Sequence, residues 1–111
     1  MWPLPSRACY TARMHLVQLL LPLPKHGGRE VFERTREQLT QRFGGMTAYL
    51  RSPAEGRWRD PAGEVEQDDV VIVEVMCEQL DRAWWTTYRE DLEKQLGQQE
   101  IVVRALPIET L

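Results

Sequence analysis

The stretch 68–76 constrains the fold most, because it predicts a strand at the centre of a β-sheet. Its apolar part carries a single charge, Glu74, among five β-branched residues: Val70, Val71, Ile72, Val73 and Val75. Such residues favour extended structure, and the run has about the usual length of a strand. A run this apolar requires neighbouring strands at both edges and cover over its faces. The remaining segments are therefore expected to supply both.

Two segments, 29–43 and 82–96, repeat apolar residues at the spacing of an amphipathic helix. Asp81 fits the N-cap of the second helix, and glycines follow both segments, where the left-handed conformation ends a helix. The loop before the first helix contains Gly27–Gly28, which lacks the spacing of a phosphate-binding motif and is interpreted as a flexible connector. The predicted apolar stripes are Phe32, Leu39 and Phe43 in the first helix and Trp85, Tyr88, Leu92 and Leu96 in the second.

Prolines bound two of the other predicted strands. Proline cannot continue a hydrogen-bonded ladder in mid-sheet, so Pro22 and Pro24 are expected to end the first strand and Pro107 the last. The predicted strands are 14–21, 46–51 with a further extended piece at 57–59 after a loop at 52–56, and 100–106.

The predicted order of elements is β-α-β-β-α-β. Right-handed crossovers turn this order into a ferredoxin-like α+β sandwich. Its four-stranded antiparallel sheet has the order 4-1-3-2, with two helices on one face, and the stretch 68–76 lies beside the first strand at the centre. We expect one such domain over 14–111, preceded by a disordered tail over 1–13, with Met14 as a candidate translation start.

Strand alternation places polar residues on the sheet face away from the helices. Arg104, Gln18, Glu74 and Tyr49 come one from each strand, in order across the sheet. A carboxylate among apolar neighbours requires a partner, which Arg104 or Gln18 can supply. The residues predicted to face the helices instead are Val17, Leu19, Leu21, Ala48, Leu50, Val71, Val73, Val75, Ile101, Val103 and Ala105.

Two functions fit this open sheet face. In the first, it pairs with a second copy of the chain, and Glu74 and Arg104 set the register of a homodimer that acts as an assembly or interaction module. In the second, the face binds a small molecule, as a ligand-binding protein or a cofactor-free enzyme. Glu74 would then act as acid or base, Arg104 would bind an anion and Tyr49 would donate a hydrogen bond. Trp58, between two arginines, is a further candidate for contact with a ligand or another chain.

Composition argues against several classes of function. The net charge of −3 disfavours binding to nucleic acid or to an anionic membrane, and the central strand lacks the aromatic residues of an RNA-recognition motif. No apolar run in the sequence is long enough to span a bilayer, and no cysteine–histidine cluster suggests a metal or cofactor. Two cysteines, Cys9 and Cys77, do not make a disulfide scaffold, which favours a cytoplasmic location.

One local motif resembles that of a known family. It reads Arg-Phe-Gly-Gly-Met-Thr-Ala-Tyr at 42–49, then Gly-Arg-Trp-Arg-Asp at 56–60, and Gly63. Similar motifs occur in short uncharacterised bacterial proteins built on a ferredoxin-like domain. The resemblance covers 14–106 and implies a fold without an activity. More distantly, the layout is similar to that of dimeric α/β-barrel proteins, in which two such sheets pack face to face, and some of these are metal-free monooxygenases or isomerases.

Overall fold

The computed structural model describes residues 12–24, 27–59, 65–97 and 100–111, with the backbone alone described at 12, 50–59 and 65–69. Within these ranges the chain forms four strands and two helices in the predicted order. The elements are β1 (Ala12–Leu23), α1 (Gly28–Phe43), β2 (Thr47–Arg59), β3 (Val65–Cys77), α2 (Arg82–Leu96) and β4 (Val102–Thr110).

The four strands form one antiparallel sheet in the order β2-β3-β1-β4. Read from the β4 edge, this order is 4-1-3-2. The stretch 68–76 lies in β3, which pairs with β2 on one side and β1 on the other, so its central position is confirmed. In the register of β1, Gln18 lies opposite Glu74 of β3 and Arg104 of β4.

The hydrophobic core lies between the two helices and one face of the sheet. Alternate residues of β1 and β3 line it, because residues i and i+2 of a strand share a face. Burying a large aliphatic side chain such as Leu39 of α1 or Leu92 of α2 contributes about 1.5–3 kcal/mol. The predicted residues Val17, Leu19, Leu21, Val71, Val73, Val75 and Ile101 are buried on the sheet side, together with Cys77, which was not predicted there. Ala48 and Val103 are partly buried against this core, Ala105 is exposed, and the side chain of Leu50 lies outside the described residues.

Both helices end as the sequence predicts. The Asp81 carboxylate accepts a hydrogen bond from the backbone N–H of Trp84 at 3.1 Å, which caps α2. Gly44 and Gly97 follow the helices with φ of 82° and 64°, in the left-handed region that glycine adopts without a steric penalty.

The prediction of a flexible connector at Gly27–Gly28 is wrong. Gly28 is buried in the first turn of α1, and a Cβ atom there would lie 3.2 Å from Cδ of Pro24 and 3.3 Å from the backbone of Leu23. The glycine therefore allows close contact between the end of β1 and the start of α1.

The predicted strand ends at Pro22 and Pro107 are also wrong, since both prolines lie inside strands. Pairing of β1 with β4 stops at Leu20 and Val102, so Pro22 has a strand on one side only. Pro107 lies in β4, at the edge of the sheet. A proline is tolerated in both places because its nitrogen can face the side that has no partner strand.

Two other boundaries differ from the prediction. The expected loop at 52–56 belongs to β2, which continues to Arg59 with a shift in its pairing to β3 between Tyr49 and Ala54. β1 begins at Ala12, which pairs with Thr110, so the ordered chain starts before residue 14. Of the disordered tail predicted for 1–13, residues 12 and 13 belong to β1, and residues 1–11 lie outside the described residues.

Candidate functional site

Four hydrogen-bonded side chains cross the sheet on its open face, away from the helices. Nε of Arg104 donates to Oε1 of Gln18 at 2.8 Å. Nε2 of Gln18 donates to Oε2 of Glu74 at 2.7 Å. The hydroxyl of Tyr49 donates to the other carboxylate oxygen, Oε1, at 3.0 Å. These four residues, one from each strand, are called the cross-sheet row below.

Strand register explains most of this arrangement. Gln18 lies directly opposite both Glu74 and Arg104, so the three side chains point to the same face at the closest cross-strand spacing. Tyr49 is offset, because its direct partner on β3 is Ile72 and the residue opposite Glu74 is Thr47. A long aromatic side chain reaches such a diagonal neighbour. The sequence therefore predicted the members of the row correctly, although not the offset.

Gln18 is the centre of the row, because its amide carries a donor and an acceptor. The amide NH₂ bonds the Glu74 carboxylate, while the amide oxygen accepts from the Arg104 guanidinium. Of the two partners expected for Glu74, Gln18 is the one that binds it directly. Arg104 bonds Gln18 instead of Glu74. The opposite charges of Arg104 and Glu74 leave the row neutral as a whole.

The cross-sheet row changes the pKa of the Tyr49 phenol electrostatically. Its hydrogen bond to Glu74 and the negative charge of that carboxylate both raise the pKa of Tyr49 above its ordinary value. Tyr49 is 47% exposed, so its ring remains accessible on the open face. At neutral pH it is a hydrogen-bond donor held against a carboxylate.

Apolar side chains flank the cross-sheet row on both sides. Val102 and Leu106 of β4 are 45% and 44% exposed, which is high for large apolar residues on a folded domain. The half-buried neighbours on the same face are Leu16, Leu20, Ile72 and Met76. The open sheet face therefore combines a row of polar side chains that hydrogen-bond one another with apolar residues around it.

A groove of about 260 Å³ lies on the other side of the sheet, between α2 and β4. Its walls include Arg82, Thr86 and Arg89 of α2. Arg89 also donates to Glu93 at 2.8 Å, whereas Arg82 is exposed. Sequence analysis did not single out these residues; the available signal was the i, i+7 spacing of two arginines on a helix beside an edge strand.

Aromatic residues join the end of α1 to the start of α2. Trp84 stacks on Tyr88 with ring centroids 4.9 Å apart, and Phe43 stacks on Trp85 at 5.2 Å. The guanidinium of Arg42 lies 4.2 Å from the centroid of Trp84, in cation–π contact. These contacts hold the helices together and occupy Trp84, which argues for a structural role.

A cysteine–histidine pair exists but is unsuited to nucleophilic chemistry. Cys77 lies opposite His15 in the sheet and is buried. Burial raises the pKa of the Cys77 thiol, which keeps it in the poorly reactive neutral form. Within the described part of the chain, no three histidine, cysteine or acidic side chains come together as metal ligands. Neither α1 nor α2 has the length and apolar character that a membrane-spanning helix requires.

Two residues considered in the sequence analysis, Trp58 and Cys9, have side chains that the structure does not describe. The backbone of Trp58 belongs to β2, but its side chain is not described, so its contacts are open. Cys9 lies wholly outside the described residues, so any pairing of Cys9 with Cys77 is open.

Comparison with known proteins identifies a shared fold. The chain matches no protein-family model, and no curated protein matches it significantly. Among solved structures, a phage SAM lyase in its apo state is similar, with a TM-score of 0.56 and 13% sequence identity. The match covers 97% of this chain and 91% of that chain. At this identity, the similarity concerns the arrangement of the elements alone.

Proposed function

We propose that this chain is a ferredoxin-like protein that assembles as a homodimer through the open face of its sheet. The β-α-β-β-α-β order, the antiparallel sheet and the packing of both helices against the core face support the ferredoxin-like class. The helices cover one face only. The opposite face carries exposed apolar residues, which a small domain usually buries against a partner.

The observation that carries this proposal is that the side chains of the cross-sheet row hydrogen-bond one another. Burying a polar group is costly unless it keeps its hydrogen bonds. Both oxygens of Glu74 already accept hydrogen bonds, and both ends of the Gln18 amide are used. The polar groups of Glu74, Gln18 and Tyr49 can therefore be buried together with the surrounding apolar residues at a small desolvation cost, whereas Arg104 still has N–H groups that require acceptors. In a two-fold dimer, the remaining N–H groups of Arg104 can also reach Glu74 of the second copy and set the register.

Light scattering of the wild type and of Ile72→Arg tests the proposal. Ile72 lies on the open face beside the row, so an arginine there places a charge in the interface. We expect the wild type at twice the chain mass of 13.0 kDa and the variant at 13.0 kDa, with unchanged circular dichroism. Gln41→Arg, which adds the same charge on the exposed side of α1, is the control and should stay dimeric. A monomeric wild type, or a dimeric Ile72→Arg variant, would contradict the proposed face-to-face dimer.

A second candidate function is binding of a small cationic molecule on the same face. It is favoured by the pairing of the Glu74 carboxylate with the exposed ring of Tyr49, since a carboxylate beside an aromatic face suits an organic cation. The similar structure is that of a SAM lyase, and SAM is a sulfonium cation, so SAM is the first ligand to test. On this proposal the chain is a ligand-binding protein or a cofactor-free enzyme, with Glu74 as base and Arg104 binding an anionic group.

Glu74→Gln separates the two candidates. If the face is an interface, the variant loses the charge that pairs with Arg104 of the second copy, and the dimer weakens. If the face binds a cation, the variant keeps the oligomeric state of the wild type, while calorimetric titration with SAM shows binding to the wild type and none to the variant. We further propose a cytoplasmic location, in keeping with a chain whose two cysteines do not make a disulfide scaffold.

A further inference from the structure

The edge of the sheet formed by β4 is open. Among the described strands β4 pairs only with β1, so part of its backbone N–H and C=O groups has no partner in the sheet. Most of its residues are exposed. An open edge of this kind can accept one further strand.

Pro107 reveals which backbone groups of β4 point outward. It lies opposite His15 and has no N–H, so this pair must be of the non-hydrogen-bonded class of an antiparallel ladder. The two classes alternate along the strand. Ala105 and Val103 therefore belong to the same class as Pro107, and their N–H and C=O groups point away from β1, to the open edge.

Pro22 independently indicates the same alternation of inward and outward backbone groups. It lies opposite Val70 in the pairing of β1 with β3, and its missing N–H requires that its nitrogen face away from β3. Alternation then directs the backbone groups of even-numbered β1 residues, such as Gln18, toward β4, and those of odd-numbered residues, such as Val17, toward β3. Val17 lies opposite Ala105, which again leaves the backbone groups of Ala105 to the open edge.

The outward groups of Val103 and Ala105 border the groove between α2 and β4. The floor of that groove is apolar, with Val17 and the buried Trp85. Its far wall includes the exposed residue Arg82. A strand added to β4 would therefore place every second side chain in this groove, beside α2.

We propose that the groove between α2 and β4 binds an extended acidic peptide segment, which adds to β4 as a fifth strand. The backbone groups of Val103 and Ala105 supply the hydrogen bonds, and side chains of the peptide enter the groove. Charge selects the peptide: Arg82 has no acidic partner among the described salt bridges, while Arg89 is already paired with Glu93. An acidic side chain of the peptide therefore meets Arg82. The groove and the open sheet face lie on opposite sides of the sheet and share Arg104. The two proposals are tested by changes at different residues, Arg82 and Ala105 here and Ile72 there, so they can fail independently.

Amide hydrogen exchange of the free protein tests the geometry first. The amides of Val103 and Ala105 should exchange rapidly, whereas those of Arg104 and Leu106, which point toward β1, should be protected. Protection of Val103 and Ala105 that grows with protein concentration would show a second copy on this edge and would overturn the proposal.

The binding probe is a fluorescein-labelled heptapeptide of alternating threonine and glutamate, measured by fluorescence polarisation. We expect a Kd below about 1 mM, and at least about tenfold weaker binding when lysine replaces glutamate. Methylation of the peptide nitrogens at alternate positions is the backbone control. One of the two alternate sets should abolish binding and the other should not, because only one set faces β4. Equal effects of both sets, or no binding of the acidic peptide, would refute strand addition.

Two variants of the protein complete the test. Ala105→Pro removes an outward N–H and leaves the ladder to β1 intact, as Pro107 does, so binding should weaken about tenfold or more without loss of circular dichroism. Arg82→Glu should weaken binding about fivefold to tenfold. Arg29→Glu reverses the charge of an exposed arginine in the first turn of α1 and should leave binding unchanged. Equal binding by all three variants contradicts the proposed site.

Discussion

Replacing Gln18 with glutamate should make the stability of the protein depend steeply on pH. Nε2 of Gln18 lies 2.7 Å from a carboxylate oxygen of Glu74, so Gln18→Glu turns an attractive contact into one between two carboxylates. With charge centres about 4 Å apart, repulsion is about 1 kcal/mol in water and about 4 kcal/mol at an effective dielectric constant of 20. Both residues are half-buried, and Arg104, now bonded to a carboxylate, offsets part of the repulsion. We therefore expect a net loss of about 1–3 kcal/mol at neutral pH.

The sign of the pH dependence follows from proton sharing. Two carboxylates in contact resist losing both protons, so the folded variant binds more protons than its unfolded chain in the weakly acidic range. Its stability therefore falls as pH rises through that range. The deficit relative to wild type should be small near pH 4, where a proton is shared, and full above about pH 7.

Thermal unfolding followed by circular dichroism at several pH values measures this effect. For a domain of this size, 1 kcal/mol shifts Tm by about 4–8 °C, so the deficit at neutral pH should be readily resolved. Gln18→Met is the control, because it removes both hydrogen bonds without adding a charge, and its deficit should change less with pH than that of Gln18→Glu. If Gln18→Glu lowers Tm equally at pH 4 and pH 8, Gln18 does not contact Glu74 and the cross-sheet row is incorrect.

Two further predictions concern a buried hydroxyl and the phenol of the row. The buried hydroxyl of Thr35 lies near the phenol of Tyr88, whose pKa is raised by burial and lowered by this hydroxyl. The hydroxyl makes no hydrogen bond of good geometry within the described part of the chain, so Thr35→Val should raise the free energy of unfolding by up to about 1 kcal/mol in urea titrations. Thr40→Val, exposed on the same helix, should change it by less than about 0.5 kcal/mol; destabilisation by Thr35→Val would show that its hydroxyl has a partner. Tyr49 should titrate above the usual tyrosine pKa of about 10 in NMR spectra of ring-labelled protein, because Glu74 stabilises the protonated phenol. Glu74→Gln should lower the pKa of Tyr49 toward the usual value, and an unchanged titration would contradict the hydrogen bond.

The helices and the central strands were predictable because local and periodic signals agree. Asp81 and the glycines after each helix set the helix ends, and the alternation of β1 and β3 set the two faces. Membership of the cross-sheet row followed from that alternation, since a side chain's face depends only on the parity of its position in the strand. The hydrogen bonds within the row did not follow from the sequence, because they depend on cross-strand register.

The prolines mark the limit of local signals. A proline indicates a strand end only if its nitrogen would face a neighbouring strand, and that depends on where pairing with the neighbour stops. Pro22 and Pro107 each have a paired strand on one side only, and their nitrogens face the other side, which only the assembled sheet reveals. The irregular pairing of β2 with β3 after Tyr49 is likewise a property of two strands rather than of one segment.

The cross-sheet row also has a consequence for the time course of folding. Its three hydrogen bonds join residues 25, 56 and 86 positions apart in the chain, the widest of them linking Gln18 to Arg104. Contacts across such long loops form only after the loop-closure entropy has been overcome, and so they are made late. The row completes itself when β4, the last strand, docks beside β1. We therefore expect its hydrogen bonds to be absent from the transition state, so that they slow unfolding rather than speed folding.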